Sequence, residues 1–476
     1  MNIGDNRKFY IDGAWVEPLQ PSDFEVLNPA TEAAIATISL GSSDDIDLAV
    51  KAARRAFHSY SRTSKQDRIE LLQHILSVYK KRYDEMAEVI SLELGAPISM
   101  SKNSQAAVGV GHLEGFLKAI DELTLRQECA NGDTIIREPI GVCGLITPWN
   151  WPVNQVALKV LPAIAVGCTV VLKPSELTPL SAMLYAEILH EAGVPKGVFS
   201  LVNGDGPVTG AALSRHPDVD MMSFTGSTRA GIAVTKDAAD TVKKVTLELG
   251  GKSPNILFAD ADVEKAVKRG VFGCFYNSGQ SCNAPTRMLV ERPIYQKVLE
   301  IAKATGESQQ PGDPAVEGRH IGPVVSALQF DRIQTLINAG IEEGATLLVG
   351  GPGKPAGFET GYYVRPTIFC DVSNDMRIAR EEIFGPVLTI IPFENEDEAV
   401  RIANDTPYGL AAYIETGNSD RAERVAAELR AGQVYINGTE CGYGSPFGGY
   451  KMSGLGREGG LYGLEDFLEI KAVSRP

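Results

Sequence analysis

The sequence predicts an α/β fold in which helices cover parallel sheets. From Gly141 to Leu247, short apolar runs alternate with helical stretches. This alternation is typical of βαβ units, whose strands are buried on both faces. A second series of the same kind runs from Ser253 to Asn437. The chain of 476 residues is longer than the roughly 250–300 residues at which a single core stops growing, so two or more domains are expected.

The composition is that of an ordinary globular protein, with 44% hydrophobic and 22% charged residues. The 45 basic and 60 acidic residues give a net charge of -15, which disfavours nucleic acid or an anionic membrane as the main partner. The seven cysteines form no CxxC pair and indicate thiols in a reducing compartment. The six histidines show no ligand spacing, so no metal site is expected.

The chain shows no membrane or export signal. Residues Met1–Asp5 lack an apolar segment, and the longest uncharged apolar run, Val160–Leu172, contains Pro162 and Gly167. That run is also shorter than the roughly 18–20 residues a membrane span needs. A cytoplasmic protein is therefore expected.

The chain begins with short strands and continues with helices. Phe9–Ile38 contains strand-like pieces that are broken at Asp12-Gly13 and Asn28-Pro29. From Asp44 the apolar residues recur at spacings of three and four, and Ile69–Leu94 continues the pattern. These helices are expected to pack and to carry no chemistry.

A hairpin is predicted around Asn131-Gly132, within residues 123–137. A free hairpin is marginal in water, so this one is expected to lie against another surface, such as a second subunit. The tail Gly463–Val473 also looks extended, which predicts pairing with an edge strand. The glycine-rich stretch Gly442–Gly460 is expected to be an irregular loop.

Polar residues follow each strand of the first series. Ligands of parallel sheets bind at the carboxyl ends of the strands, so these residues predict a lined crevice. They are Asn150, Lys173, Glu176, Gly204, Thr225-Gly226-Ser227 and Glu248. The piece Gly226–Gly231 opens a helix, where backbone N–H groups can hold a phosphate. It lacks the full GxGxxG pattern, so a plain turn is the alternative.

Cys282 is the candidate nucleophile. It falls in a turn between a predicted helix, Val263–Phe275, and a predicted strand, Arg287–Glu291. Reactive groups commonly lie in such turns. An isolated cysteine is more often an inert, buried side chain. The local sequence leaves both interpretations open.

Over essentially its whole length the chain resembles the aldehyde dehydrogenase superfamily. Seven motifs in the same order carry the resemblance: Pro148-Trp149-Asn150, Lys173–Glu176, Phe224–Ser227, Leu247–Lys252, Gly279–Cys282, Glu381–Pro386 and Pro446–Lys451. The resemblance implies a Rossmann-like cofactor-binding domain (1–120 and 139–249), an α/β catalytic domain (250–445) and a small β bridging element (121–138 and 460–476). Relatives with this organisation are homodimers or homotetramers.

The resemblance also implies oxidation of an aldehyde to a carboxylic acid. Cys282 would attack the aldehyde, and the Asn150 amide with the Cys282 backbone N–H would hold the oxyanion. Glu248 would activate the water that hydrolyses the thioester. Lys159 and Glu458 match a proton path to Glu248, and a simple surface ion pair is their alternative.

NAD is the expected cofactor. The matching positions are Ile146 and Trp149, then Lys173 and Glu176 at the adenosine ribose, Gly226, Ser227 and Gly231 near the pyrophosphate, and Glu382 and Phe384 at the nicotinamide end. A carboxylate at Glu176 would repel a 2′-phosphate, which favours NAD. Lys173 leaves NADP open.

The resemblance does not name the aldehyde. Tyr443 and Glu440 stand in the loop before Pro446, where many relatives carry a phenylalanine, and Leu158 replaces an aromatic residue. An aromatic cage for betaine aldehyde is therefore not expected. Two alternatives are disfavoured. A CoA-acylating enzyme would lack the glutamate, and a non-catalytic, crystallin-like relative would have no need of Cys282, Glu248 and Asn150 together.

Overall fold

The computed structural model describes residues 4–475 and confirms the predicted α/β fold. Over that range the chain alternates strands with helices. The strands are β1 (Gly4–Asn6), β2 (Phe9–Ile11), β3 (Ala14–Val16), β4 (Asp23–Leu27), β5 (Ala34–Ser39), β6 (Arg126–Glu128), β7 (Thr134–Pro139), β8 (Val142–Ile146), β9 (Thr169–Lys173), β10 (Phe199–Leu201), β11 (Met221–Thr225), β12 (Lys244–Glu248), β13 (Pro254–Leu257), β14 (Arg287–Glu291), β15 (Thr346–Val349), β16 (Thr367–Cys370), β17 (Val387–Phe393), β18 (Ala411–Glu415), β19 (Gln433–Ile436), β20 (Gly454–Leu455) and β21 (Leu468–Val473).

Helices connect these strands and cover the sheets. They are α1 (Ser43–Tyr60), α2 (Lys65–Lys81), α3 (Tyr83–Leu94), α4 (Ile98–Met100), α5 (Ala107–Glu122), α6 (Pro152–Val166), α7 (Leu180–Glu191), α8 (Ala211–Arg215), α9 (Thr228–Ala239), α10 (Val263–Phe275), α11 (Tyr295–Ser308), α12 (Ala327–Glu342), α13 (Arg377–Arg380), α14 (Glu396–Asn404), α15 (Ser419–Glu428) and α16 (Gly460–Glu465). Short 3-10 or π-helical turns lie at Ser101–Gln105, Gly206–Gly210, Tyr276–Gly279, Arg292–Ile294 and Lys451–Ser453.

The first large sheet has eight strands in the order β20-β12-β11-β8-β9-β10-β2-β3. Its strands from β12 to β10 are parallel, and β20, β2 and β3 are antiparallel to their neighbours. In chain order the parallel part reads 3-2-1-4-5, which is the order of a dinucleotide-binding sheet. The chain reverses direction across the sheet between β8 and β11, and ligands of such sheets bind at that point.

The second large sheet has seven strands in the order β15-β16-β17-β14-β13-β18-β19. All of its pairs are parallel except β15 with β16. Buried apolar side chains form separate clusters on the two faces of this sheet. The turn that carries Cys282 connects α10 to β14, so this sheet fixes the position of the thiol.

A three-stranded antiparallel sheet, β21-β7-β6, stands apart from both large sheets. It confirms the predicted hairpin around Asn131-Gly132 and the predicted pairing of the tail. The tail prediction was wrong at its start, because Gly460–Glu465 is helical. Leu464 and Phe467 are buried in the core beside the first sheet, which anchors this segment before β21 begins.

The glycine-rich stretch Gly442–Gly460 is more ordered than the sequence suggested. Its strand β20 pairs with β12, placing Gly454 opposite Glu248. Phe447 and Glu458 also form an antiparallel bridge. The stretch therefore runs back from the second sheet to the edge of the first.

Between residues 4 and 475, no helix has the length and hydropathy to cross a membrane. Within the same range, no three His, Cys, Asp or Glu side chains are grouped so that they could hold a metal ion. The seven cysteines are all free thiols.

Candidate active site

Cys282 lies where two cavities meet. One cavity, of about 260 Å³, is lined by the thiol residue together with side chains from α5, α6 and the loop after β19. The other, of about 160 Å³, is lined by Cys282 and by residues at the carboxyl ends of the first sheet. We call them the outer cavity and the sheet-end cavity. A group on Cys282 is thus accessible from two sides.

The turn before Cys282 is held in an unusual backbone conformation. Asn277 and Ser278 have φ of 53° and 57°, in the left-handed region that non-glycine residues rarely adopt. The Asn277 amide donates to the carbonyl oxygens of Asn150 (2.9 Å) and Gln280 (3.2 Å). Strained residues fixed in this way commonly occur at functional sites. Neither residue type requires this conformation, so the strain was not predictable from the sequence.

Asn150 is positioned by both large sheets. It lies in the loop between β8, which ends at Ile146, and α6, whose first residue, Pro152, suits the first helical position. Its side chain is 3% exposed, and Nδ2 donates to the Gln280 carbonyl oxygen at 2.9 Å. An amide nitrogen carries two hydrogens, so one N–H remains for a ligand in the sheet-end cavity, which Asn150 lines with Cys282.

The surroundings of Cys282 disfavour its thiolate form. Burial raises the pKa of Cys282, and the negative charges of Glu382 and Glu248 raise it further. Glu382 is fixed by a 2.9 Å hydrogen bond from the Gly251 backbone N–H. Gly250 and Gly251 permit this approach, since a Cβ at either would collide with the Glu382 carboxylate or the Cys282 carbonyl. Both carboxylates therefore act on the thiol electrostatically.

Glu248 ends β12 with an unsatisfied carboxylate. The residue is 4% exposed, and neither carboxylate oxygen has a hydrogen-bond partner among residues 4–475. One oxygen lies against Gly448, where any side chain would collide with it. Burial raises the pKa of Glu248, and the charge of Glu458 raises it further, while Lys159 acts in the opposite direction. A buried carboxylate of this kind is suited to taking and releasing a proton.

Lys159 and Glu458 form a buried ion pair with an N–O distance of 2.5 Å. The Lys159 ammonium also donates to Ser223 Oγ at 3.1 Å. The lysine is 1% exposed and the glutamate 7%. The alternative of a surface ion pair is therefore wrong. Because Glu458 also influences the pKa of Glu248, these groups form one electrostatic cluster in the core.

The sheet-end cavity lies at the reversal point of the first sheet. It is lined by residues that follow β8 and β11, including Trp149, Gly226 and Ser227, and by Glu382 and Phe384 from the second sheet. The rings of Trp149 and Phe384 meet edge to face with centroids 5.3 Å apart. Ser227 caps α9, and the free N–H groups at this helix start favour an anion.

Other candidate cofactor residues lie outside the lining of this cavity. Lys173 ends β9, and its ammonium donates to the carbonyls of Pro174 (2.8 Å) and Gly204 (2.5 Å). Its distance to the Glu176 carboxylate is 3.7 Å. Burial lowers the pKa of Lys173. These contacts hold the lysine within the wall of the crevice.

Two further candidate cofactor residues, Ile146 and Gly231, contribute to the crevice through packing. Ile146 is 7% exposed at the end of β8 and packs in the apolar cluster under α9. Gly231 lies one turn into α9, where a Cβ would collide with Leu249. Its absent side chain lets the helix approach the sheet, so Gly231 acts through packing.

The outer cavity contains a residue that the sequence analysis missed. His112 lies on α5, a helix for which no sequence prediction was made, and its ring contacts Tyr443 edge to face at 5.1 Å. A ring nitrogen of His112 lies 2.7 Å from Asn154 Oδ1. The glycine at 111 admits the Tyr443 ring, since a side chain there would overlap it. Gln329 and Arg332 in the sheet-end cavity were also missed.

Comparison with known proteins identifies similar chains across the whole length. A model of the aldehyde dehydrogenase family matches residues 15–473. The 3-succinoylsemialdehyde-pyridine dehydrogenase of a Pseudomonas species is 53% identical, over 98% of this chain and 98% of its own.

Solved structures show the same architecture. The crystal structure of an aldehyde dehydrogenase from Bartonella henselae superposes with a TM-score of 0.98 and 55% identity, covering 100% of both chains. Aldehyde dehydrogenase C from Pseudomonas syringae, a cysteine-to-alanine mutant crystallised with NAD+ and octanal, gives a TM-score of 0.97 and 51% identity, covering 98% of this chain and 96% of its own.

Proposed function

Because the chain belongs to the aldehyde dehydrogenase family, we propose that it oxidises an aldehyde to the carboxylic acid through a thioester on Cys282, with NAD as hydride acceptor. The observation that carries this proposal is the position of Cys282 on the shared wall of two cavities. An aldehyde in the outer cavity and a nicotinamide in the sheet-end cavity would approach the same thiol from opposite sides.

The first step uses Cys282 and Asn150. Cys282 gives its thiol proton to the Glu248 carboxylate, and the resulting thiolate attacks the aldehyde carbon, whose carbonyl oxygen becomes an alkoxide. The open N–H of the Asn150 amide and the Cys282 backbone N–H are the donors for that alkoxide. Collapse of the alkoxide expels a hydride from the same carbon and leaves a thioester. NAD, when bound, supplies the acceptor for this hydride.

Hydrolysis uses the buried cluster around Glu248. The carboxylate takes one proton from water as the water oxygen attacks the thioester, which releases the acid and leaves the Cys282 sulfur as a thiolate. Burial and the charge of Glu458 both favour the protonated form of Glu248, and Lys159 and Arg457 oppose them. A proton moving from Glu248 to Glu458 leaves the charge of the cluster unchanged. We propose this pair and Lys159 as the path by which Glu248 is regenerated.

The residues present fit a dinucleotide and favour NAD over NADP. The sheet-end cavity opens at the strand reversal and beside the start of α9, where a pyrophosphate is expected. Glu176 supplies a carboxylate for ribose hydroxyls, and Lys173 is occupied by two carbonyl oxygens. A 2′-phosphate would have to displace these contacts. We expect a higher kcat/KM with NAD, and a higher value with NADP would show that Lys173 turns toward the phosphate.

The relatives suggest two kinds of substrate. One relative of 53% identity is named for a semialdehyde that carries a pyridine, and one of 51% was crystallised with octanal. The proposal at this level is a small-molecule aldehyde.

We also propose that the protein is a homodimer or homotetramer assembled through the three-stranded sheet. The outer strand β6 is exposed along its length, and its free backbone edge is able to pair with another strand. The middle of β21 is exposed as well, with Ile470 at 68%. An apolar side chain on an exposed edge sheet is typical of an interface.

The test is NADH absorbance with a panel of aldehydes for the wild type, Cys282→Ala and Cys441→Ala. Cys441 also lines the outer cavity, so it is a matched thiol without the proposed role. We expect turnover by the wild type and by Cys441→Ala, and none by Cys282→Ala. Full activity of Cys282→Ala would exclude the thioester route.

A further inference from the structure

A third cavity, of about 400 Å³, lies between α4, the end of α10 and the loop that follows α11. We call it the side cavity. Of the lining residues that the structure describes, none is shared with the outer cavity or the sheet-end cavity, so it is a separate site. Its volume lies in the range of about 300–1,000 Å³ that is typical of small-molecule pockets. The proposed reaction leaves this cavity without a role.

The walls of the side cavity include apolar side chains that a ligand could cover. Phe272 on α10 is 46% exposed, and Tyr276 at the end of the same helix is 45% exposed. Met100 on α4 is half-buried and lines the cavity with them. Aromatic and aliphatic walls of this kind are typical of a pocket for an apolar body.

Arg319 gives the side cavity a positive charge. Its side chain is exposed, and no carboxylate between residues 4 and 475 lies within ion-pair distance of its guanidinium. Among the described lining residues there is no aspartate or glutamate, and Asn103 adds an exposed amide. A guanidinium without a partner is suited to pairing with a carboxylate.

The loop that carries Arg319 is held in place by hydrogen bonds. The backbone N–H of Gly318 donates to Ser99 Oγ at 3.0 Å, which joins the loop to α4. A ring nitrogen of His320 donates to the Asp313 carbonyl oxygen at 2.8 Å, which fixes the loop internally. The cavity is therefore preformed, and a preformed site lowers the entropic cost of binding.

Another wall of the side cavity is the turn before Cys282. Asn277 and Ser278, the two residues with positive φ, line the cavity. The Ser278 hydroxyl donates to the Gly322 carbonyl oxygen at 2.8 Å, which joins this turn to the loop after α11. The Asn277 amide donates to the Asn150 carbonyl oxygen at 2.9 Å. A ligand in the side cavity would thus rest on the turn that positions the thiol.

Phe272 and Tyr276 also border an open cleft of about 550 Å³. The lining of that cleft includes Glu415 and Glu440. Its one arginine, Arg269, is already paired with the Glu415 carboxylate through two hydrogen bonds, of 3.0 and 2.5 Å. An anion is therefore favoured in the side cavity and disfavoured in the cleft.

We propose that the side cavity binds an organic carboxylate with an apolar chain, such as a medium-chain fatty acid. The carboxylate pairs with Arg319, and the chain packs on Phe272, Tyr276 and Met100. Because the arginine is exposed, the ion pair is modest and weakens as salt is added. Most of the affinity comes from burial of the chain.

The experiment is calorimetric titration of the NAD-saturated enzyme with octanoate, hexanoate and 1-octanol. Octanoate buries two more methylenes than hexanoate and should bind up to roughly tenfold more tightly. The ion pair should give octanoate an advantage of up to roughly fivefold over 1-octanol. This advantage should decrease at high salt.

Two substitutions test the contribution of charge. Arg319→Gln removes the cation, and Asn103→Asp adds a repelling carboxylate with little change in side-chain size. Each should weaken octanoate binding by up to roughly fivefold and leave 1-octanol binding unchanged. Arg62→Gln is the matched control, because Arg62 is also exposed and has no ion-pair partner in the described part of the chain. All three positions are exposed, so the thermal midpoints without ligand should match the wild type.

Three results would overturn the inference: no binding of octanoate to the wild type, equal affinity for octanoate and 1-octanol, or wild-type octanoate affinity in both Arg319→Gln and Asn103→Asp. The last result, together with inhibition that is competitive with the aldehyde, would assign octanoate to the outer cavity. The inference does not depend on the proposed reaction, since binding is measured without turnover.

Discussion

The ammonium of Lys159 lies 2.5 Å from the Glu458 carboxylate, and both side chains are buried. The pair connects two distant parts of the chain, α6 and the glycine-rich stretch that returns from the second sheet. The two partners have opposite effects on the pKa of Glu248, since Glu458 raises it and Lys159 lowers it. Burial is the main cause that raises the pKa of Glu248, and the pair adjusts that pKa further.

Replacing either partner should move the pH profile of thioester hydrolysis, in opposite directions. Glu458→Gln removes a negative charge, so the pKa of Glu248 falls and hydrolysis begins at lower pH. Lys159→Met removes a positive charge, so that pKa rises and hydrolysis begins at higher pH. Single-turnover hydrolysis of a preformed acyl-enzyme across pH measures both. Shifts of the same sign, or none, would contradict the coupling.

The same variants should lower stability. Leaving one member of a buried ion pair without its partner costs about 3–5 kcal/mol. The double variant Lys159→Met with Glu458→Gln removes both charges and should recover much of this loss. The unfolding free energies of the wild type, the two single variants and the double variant form a double-mutant cycle. Additive losses would indicate that the two side chains do not interact.

The acidity of Cys282 should depend on Glu382. Burial and the charges of Glu382 and Glu248 raise the pKa of the thiol, so its alkylation by iodoacetamide should accelerate as the pH rises. Glu382→Gln removes the stronger of the two charges and should increase the alkylation rate several-fold at fixed pH. Glu381→Gln is the matched control, because Glu381 is exposed and bonded to Arg377.

The site of labelling must be assigned by mass spectrometry in that experiment. Cys441 is exposed and will also react with iodoacetamide. Its rate should be unaffected by Glu382→Gln. An unchanged rate at Cys282 in the Glu382 variant would show that burial alone determines its pKa.

Ile470 should be needed for assembly. Its side chain is 68% exposed at the centre of β21, so a charge there would be buried in any interface on this sheet. Ile470→Asp is expected to lower the mass in light scattering to that of a smaller species. Leu347→Asp, on the exposed strand β15, is the control and should leave the mass unchanged. Wild-type mass in both variants would place the interface elsewhere.

Much of the fold was predictable because hydrophobic periodicity is a local property. The buried strands β8, β9 and β11 appear as continuous apolar runs, and the helices between them show regular spacing. Helix α5 was missed, since its glycines, at 109, 111 and 115, argue against a helix in sequence. The structure explains them: the first admits Tyr79 and the other two admit Tyr443.

The catalytic candidates were named from motifs, but their environment was not predictable. Nothing local indicates that Lys159 and Glu458, 299 residues apart, are paired and buried. The environment of Gly226 and Ser227 was predictable, because their position between a strand and a helix already indicated that they line a crevice. The sequence identifies which residue types follow the strands. How deeply they are buried and which residues they contact can be seen only in the three-dimensional structure.

The measurement that tests the account most directly is turnover by Glu248→Gln without CoA. The proposed thioester on Cys282 would need a base to be hydrolysed quickly, and general-base assistance contributes roughly 10²–10⁴-fold. The variant should release one NADH per active site and then stall, with the acyl group on Cys282 visible by intact-protein mass spectrometry. The wild type and Glu264→Gln, an exposed carboxylate paired with Lys268, should continue to turn over. If turnover instead requires CoA, or Glu248→Gln cycles at the wild-type rate without acyl-enzyme, then Glu248 is not the hydrolytic base.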